Sequence, residues 1–209
     1  MPRKTAITHP YNSALKAHPA EIKRRETLES VELFSNLRGT VFFHDMSVPF
    51  KESEMTVING ADCIYSHLAY PAGMKAFADR ADYEQKGTHN QYLQAVKTLI
   101  DELRKPTFIV CSEKAANKLR PHKTRQIRLY KTMEVLACWE DYADEKHKTA
   151  DEVSTYLSRR YNSVYDFSCG YGRSIREFDS IIGSDIDKKC LGYIKSEILE
   201  KARCENGKR

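Results

Sequence analysis

The stretch that decides the fold is Asp166-Phe167-Ser168-Cys169-Gly170-Tyr171-Gly172, followed by Asp185-Ile186-Asp187. Val164 to Ser168 reads as a strand that carries an acidic residue and runs into a tight turn with two glycines. Ile181-Ile182-Gly183-Ser184-Asp185 reads as a second strand, closing on an acid nineteen residues after Asp166. Strands joined in this way lie parallel in an open α/β sheet. Ligands of such sheets bind at the carboxyl ends of the strands, where glycine admits a close approach to the backbone and a positive φ. Asp187 reads as the N-cap of a closing helix over Lys188 to Arg203.

Outward from that stretch, strands and helices alternate. Apolar residues at helical spacing predict a helix from Ala20 to Leu37, stopped at Gly39. Thr40 to His44 and Ala61 to Ser66 read as strands. Thr88 and Gln91 form a capping box ahead of a helix that Pro106 ends. Thr107-Phe108-Ile109-Val110-Cys111 is apolar throughout, as in a strand covered on both faces. A short helix over Glu113 to Leu119 and two strands, Gln126 to Tyr130 and Glu134 to Trp139, follow. Thr149 and Glu152 form a second capping box. The expected fold is α/β, with a mainly parallel sheet and helices on both faces. The expected division is an N-terminal arm and helical extension over 1–39 and one domain over 40–209.

The turn chemistry narrows the ligand. A dinucleotide site wants GxGxxG to set a pyrophosphate on a helix N-terminus. This chain has only GxG, preceded by an aspartate that repels a pyrophosphate and suits an amine or a cation. Asp185 is placed to accept ribose hydroxyls. A ligand with a ribose and a cationic amino-acid end, and no phosphate, fits better: S-adenosylmethionine (SAM).

Asp166 to Gly172 resembles motif I of SAM-dependent methyltransferases, in the DPFxGxG form of the amino-group DNA methyltransferases. Asp166, Gly170 and Gly172 match, while Phe167 and Ser168 stand for the usual Pro and Phe. Asp62-Cys63-Ile64-Tyr65-Ser66-His67-Leu68-Ala69-Tyr70-Pro71 resembles motif IV, DLIVTDPPYN, and His147-Lys148-Thr149 resembles motif X. Motif IV thus precedes motif I, as in circularly permuted members. The resemblance covers about Thr40 to Leu199 and implies a Rossmann-like methyltransferase fold. It implies that Asp166, Ser168, Gly170, Gly172 and Lys148 hold the methionine end of SAM and Asp185 its ribose. It also implies that His67 and Tyr70 hold the target at a catalytic site, Tyr70 by stacking on a flipped base. His67 replaces the family's Asp, Asn or Ser; a neutral imidazole keeps one acceptor nitrogen, which can hold an amine or equally act as a base toward another nucleophile.

The implied reaction is methyl transfer to an amino group of a nucleic-acid base, with adenine in DNA first. The degenerate motif IV leaves three alternatives open: an RNA acceptor, a nucleotide or small-molecule acceptor, and a non-catalytic relative that binds SAM, nucleic acid or a partner. Charge adds to this. Residues 104–131 carry nine basic and one acidic group, more than the whole net charge of +5. Within them Lys114, Lys118, Arg120, Lys123 and Arg125 are candidates for a phosphate-backbone track, the plain alternative being a solvated face. Tyr130, His122 and Trp139 lie near it as candidate stacking rings. Only about 30 residues separate Cys111 from the motif X-like segment, too few for a recognition domain. If the acceptor is DNA, specificity is then low, or a second subunit or a separate partner supplies it.

Composition excludes other classes. At 41% hydrophobic and 30% charged residues the chain is neither disordered nor a membrane span. MPRKTAITHPYNS has no apolar segment and does not read as a signal peptide. Cys63, Cys111, Cys138, Cys169, Cys190 and Cys204 form no CxxC pair and no zinc spacing. They read as reduced thiols of a cytoplasmic protein without a metal site.

Overall fold

A computed structural model describes residues 33–36, 38–68, 87–129, 131–141, 147–173 and 175–206, with five single positions between 74 and 84. Its eight strands are β1 (Leu33–Asn36), β2 (Gly39–Phe43), β3 (Cys63–His67), β4 (Thr107–Cys111), β5 (Lys123–Leu129), β6 (Thr132–Cys138), β7 (Ser163–Asp166) and β8 (Ser180–Asp185). The helices are α1 (Glu52–Ile58), α2 (His89–Leu103), α3 (Glu113–Leu119), α4 (Ala150–Ser158) and α5 (Lys188–Asn206).

One sheet holds all eight strands, in the order β1-β2-β8-β7-β3-β4-β6-β5. The five central strands β2, β8, β7, β3 and β4 are mutually parallel. β1 joins one edge antiparallel to β2, and β6 runs antiparallel between β4 and β5. α1, α2 and α3 bury Ile58, Leu93, Val96, Ala116 and Leu119 against one face, with Ile64, Ile109 and Ala137. α4 and α5 bury Val153, Leu157, Leu191 and Ile194 against the other, with Tyr65, Val110 and Val164. Two covered faces explain why β4 is apolar at every position. This is the Rossmann-like α/β arrangement expected from the sequence.

Local rules set the helix ends. The Thr88 hydroxyl accepts the Gln91 N–H and the Thr149 hydroxyl the Glu152 N–H, so both capping boxes form. α2 ends on Arg104 in the left-handed region, φ 50°, its N–H returned to the Ile100 carbonyl.

Four expectations change. The end of the expected Ala20–Leu37 helix is strand β1, while residues 20–32 lie outside those described. Gly39 opens β2 rather than closing a helix. Unpaired backbone groups along the edge of β2 are satisfied by β1, and that pairing overrides helical spacing. α1 has no counterpart in the sequence reading. The strand after Val164 ends at Asp166 rather than Ser168, because the Asp166 carboxylate accepts the Ser168 N–H at 3.0 Å and bends the chain.

The β5–β6 hairpin outruns its neighbour. The last residue of β4, Cys111, lies opposite Val135, which lies opposite Gln126. Three further pairs follow, ending at Leu129 and Thr132. They carry the hairpin about 10 Å beyond β4, at roughly 3.3 Å per residue. Among the described residues no helix is long and apolar enough to cross a membrane.

Candidate active site

β7 and β8 lie side by side in parallel, so the turn after Asp166 and the acid at Asp185 meet at the carboxyl end of the sheet. The Asp185 carboxylate binds that turn directly. Its Oδ2 accepts the Gly170 N–H at 2.8 Å and its Oδ1 the Asp187 N–H at 2.9 Å. A carboxylate offers about four acceptor positions, so roughly two remain for a ligand. Burial raises the Asp185 pKa to about 6, against the pull of the Asp187, Gly170 and Ile186 backbone N–H groups. Gly170 and Gly172 sit at φ 48° and 71°, a region that costs any residue with a Cβ about 1–2 kcal/mol. The glycines of this turn are thus demanded by the backbone path itself.

The structure gives Asp166 a different place from the one expected. It is fully buried, and its Oδ1 accepts the Ser66 hydroxyl at 2.6 Å as well as the Ser168 N–H. It is a clamp between β3 and the glycine turn, not a surface open to a ligand. The Ser168 hydroxyl, expected at the cofactor, shares a hydrogen bond with the Tyr92 hydroxyl of α2 at 2.8 Å. This network ties three elements to one turn. Sequence reasoning missed Ser66 and Tyr92 because their partners lie 100 and 76 residues away. Asp187 caps α5, accepting the Lys189 N–H at 2.9 Å, as its spacing predicts. Cys169 is buried and burial pushes its thiol well above the ordinary range, which suits packing and not nucleophilic attack.

His67 ends β3, the neighbour of β7. The pairing of Ile64 with Tyr165 sets His67 level with the start of the glycine turn. It is half-buried. Burial pushes its imidazole down to about 4, with Asp151 opposing and Arg173 adding to the shift. Those two residues pair with each other at 2.8 Å, joining the start of α4 to the chain just past Gly172. Lys148 lies in the lead-in to α4, exposed, its carbonyl accepting the Arg128 N–H at 2.6 Å. His67, Gly170, Gly172, Asp185 and the lead-in to α4 therefore gather at the carboxyl end of the sheet. Tyr70 lies outside the described residues.

The basic candidates divide by face. Lys114 and Lys118 ride on α3, and Lys118 Nζ donates to Asn90 Oδ1 at 2.8 Å. Arg120 closes α3 in the left-handed region at φ 55°. Lys123 and Arg125 share the strand parity of Ile127, which packs on the opposite face with α4. The Arg125 guanidinium is bound to the His147 carbonyl and fastens the motif X-like segment to the edge of β5. One continuous track through all five is not what the fold builds. Arg128, opposite Met133, has the other parity and shares the α3 face; Met133 is 59% exposed.

One buried polar atom stands apart. Among the described residues His44 Nε2 is the only buried side-chain nitrogen or oxygen without a hydrogen-bond partner. His44 Nδ1 lies 3.3 Å from a Glu54 carboxylate oxygen, and the ring stacks on Phe50 at 3.8 Å between centroids. Its backbone N–H donates to the Asp185 carbonyl at 3.2 Å, beside the site.

No protein-family model matches the chain, and no curated protein does. The chain is similar to the crystal structure of M1.HpyAVI, with 12% identity and a TM-score of 0.45, over 76% of this chain and 98% of that one. Among the described residues no group of His, Cys, Asp and Glu is arranged to hold a metal ion, and Cys63, Cys111, Cys138, Cys169 and Cys190 are free thiols.

Proposed function

We propose that the chain is a SAM-dependent methyltransferase that acts on an amino group of a nucleic-acid base, with adenine in DNA as the favoured acceptor. The carrying observation is the Asp185 carboxylate. It stands at the end of β8, is bonded to the glycine turn after β7, and keeps acceptor positions for a ribose diol. The order of the motif-like segments, 62–71 before 166–172 in the sequence, is read as a circular permutation.

The residues present fit SAM in two respects. Gly170 is half-buried in a positive-φ turn bonded to Asp185, and the turn carries GxG rather than the GxGxxG of a pyrophosphate site. Asp185 would take the ribose, and the backbone from Ser168 to Gly172, with Lys148 nearby, would line the methionine end. SAM, if bound, would supply a sulfonium methyl group to the amine nitrogen, leaving a neutral thioether, and the amine proton would pass to solvent. What the chain contributes is position. Asp166 holds the turn against β3, and so fixes the spacing between the cofactor turn and His67. His67, neutral near pH 7, offers one lone pair to an amine N–H. Alignment of nucleophile, methyl carbon and sulfur is the larger part of such a barrier.

For the polyanion, the α3 face with Lys114, Lys118, Arg128 and the exposed hairpin end is the surface this reading assigns. The test is methyl transfer from labelled SAM to duplex DNA, to RNA and to free nucleosides. Transfer to DNA adenine supports the reading. Transfer only to nucleosides moves the acceptor, and SAM binding without transfer to any of them leaves a non-catalytic relative.

A further inference from the structure

Tyr65 and His67 lie two residues apart on β3, so their side chains leave the sheet on the same face. Tyr65 is fully buried, and its hydroxyl donates to the Ala150 carbonyl in the first turn of α4 at 2.8 Å. His67 Nε2 lies 3.3 Å from the same hydroxyl oxygen, the two rings crossing at 90° with centroids 5.5 Å apart. A phenol has one O–H. With that proton directed to Ala150, the tyrosine oxygen meets His67 as an acceptor, and Nε2 must be the nitrogen that carries hydrogen. In a neutral imidazole the lone pair then sits on Nδ1.

His67 Nδ1 makes no hydrogen bond among the described residues. It is not an enclosed orphan either, since His44 Nε2 alone holds that place among them. Among the described residues Nδ1 is therefore an acceptor with no hydrogen-bond partner. It stands at the strand end next to the glycine turn, beside the Asp151–Arg173 pair.

We propose that Tyr65 is a positioning residue: through its bond to Ala150 it locks His67 in the Nε2–H tautomer and turns Nδ1 toward use as the acceptor for an N–H of the group to be methylated. The second half of this rests on the proposed function; the tautomer lock does not. The chemistry selects its ligand. A neutral acceptor receives an amino or amide N–H and rejects a carbonyl or phosphate oxygen, which brings no proton. The roles also pass along one chain, from His67 through Tyr65 to the α4 terminus. Movement of that terminus would therefore reach His67 through a single hydroxyl.

The experiment is long-range proton–nitrogen NMR on the full chain with 15N-labelled histidine at pH 7, the His67 signals being those missing from His67→Gln. The expected result is one neutral tautomer with hydrogen on Nε2. Tyr65→Phe should turn this into a mixture and lower kcat about tenfold with KM for SAM unchanged, the effect of one hydrogen bond. Hydrogen on Nδ1 in the unaltered chain overturns the lock, whether or not Tyr65→Phe folds. An unchanged single tautomer in Tyr65→Phe overturns it as well. An Nε2–H ring in a chain that methylates nothing removes the proposed function and leaves the lock standing.

Discussion

The two halves of the candidate site are built on different principles. At the β7–β8 corner nearly every polar group is already engaged: Asp166 with Ser66 and Ser168, Asp185 with Gly170 and Asp187, Ser168 with Tyr92. At β3 and the hairpin the groups stand more open, with His67 half-buried and Arg128, Lys131 and Met133 exposed. The first half fixes a backbone shape, and the second presents side chains. A cofactor common to many acceptors suits the fixed half, and a variable acceptor suits the open one.

The strongest blow to the fixed half is Asp166→Ala. It strands the Ser66 hydroxyl and the Ser168 N–H in buried surroundings, and about 3 kcal/mol of stability should go, read by urea denaturation. A loss under about 0.5 kcal/mol, the ordinary scatter of surface changes, would erase the contrast between the halves.

Next comes Asp185→Ala, with SAM affinity falling about 10- to 100-fold in calorimetry, the range for hydrogen bonds to a charged group. The same residue sets a pH dependence. Its folded pKa of about 6 lies above the ordinary 3.8. Between those values the folded chain keeps a proton that the unfolded chain has lost. The contribution of this group to stability therefore falls as pH rises through that window and is level above it. SAM affinity should run the other way, weakening as pH drops below about 6 and the carboxylate loses acceptor capacity. A flat affinity from pH 5 to 8 would remove Asp185 from the ribose.

Gly172→Ala tests the backbone of the corner. At φ 71° the change should cost about 1–2 kcal/mol, with the new Cβ 3.1 Å from Ile194 Cγ1 adding to it. The smallest effect belongs to the open half. Arg128→Glu should lessen the salt dependence of duplex binding, lowering the log–log slope by about one, while Lys123→Glu on the other parity should leave it unchanged. Equal effects from both would show that the charge acts as a diffuse field and not as a face.

Legibility followed the range of the interaction. The capping boxes at Thr88 and Thr149, the apolar β4 and the Asp187 cap were readable because each depends on residues a few positions apart. The glycine turn was readable for the same reason. The cradle expected of Asp166 was not the one found, because the residue that claims its carboxylate, Ser66, is 100 positions upstream. The phosphate track divided because strand parity separates Arg125 from Arg128, whatever their spacing along a charge-rich segment.

By itself the sequence determined the alternation of strands and helices, the acid-and-glycine turn after the central strand and the acid closing the next one. Local propensity, capping and φ requirements suffice for these. Only the tertiary structure decided what those acids do. Parallel pairing of β3 with β7 turns Asp166 inward as a clamp and leaves Asp185 with acceptor positions to offer. It also sets Tyr65 against the start of α4. A hydrogen bond needs its partner within about 3 Å, and for these groups only the folded sheet brings one there.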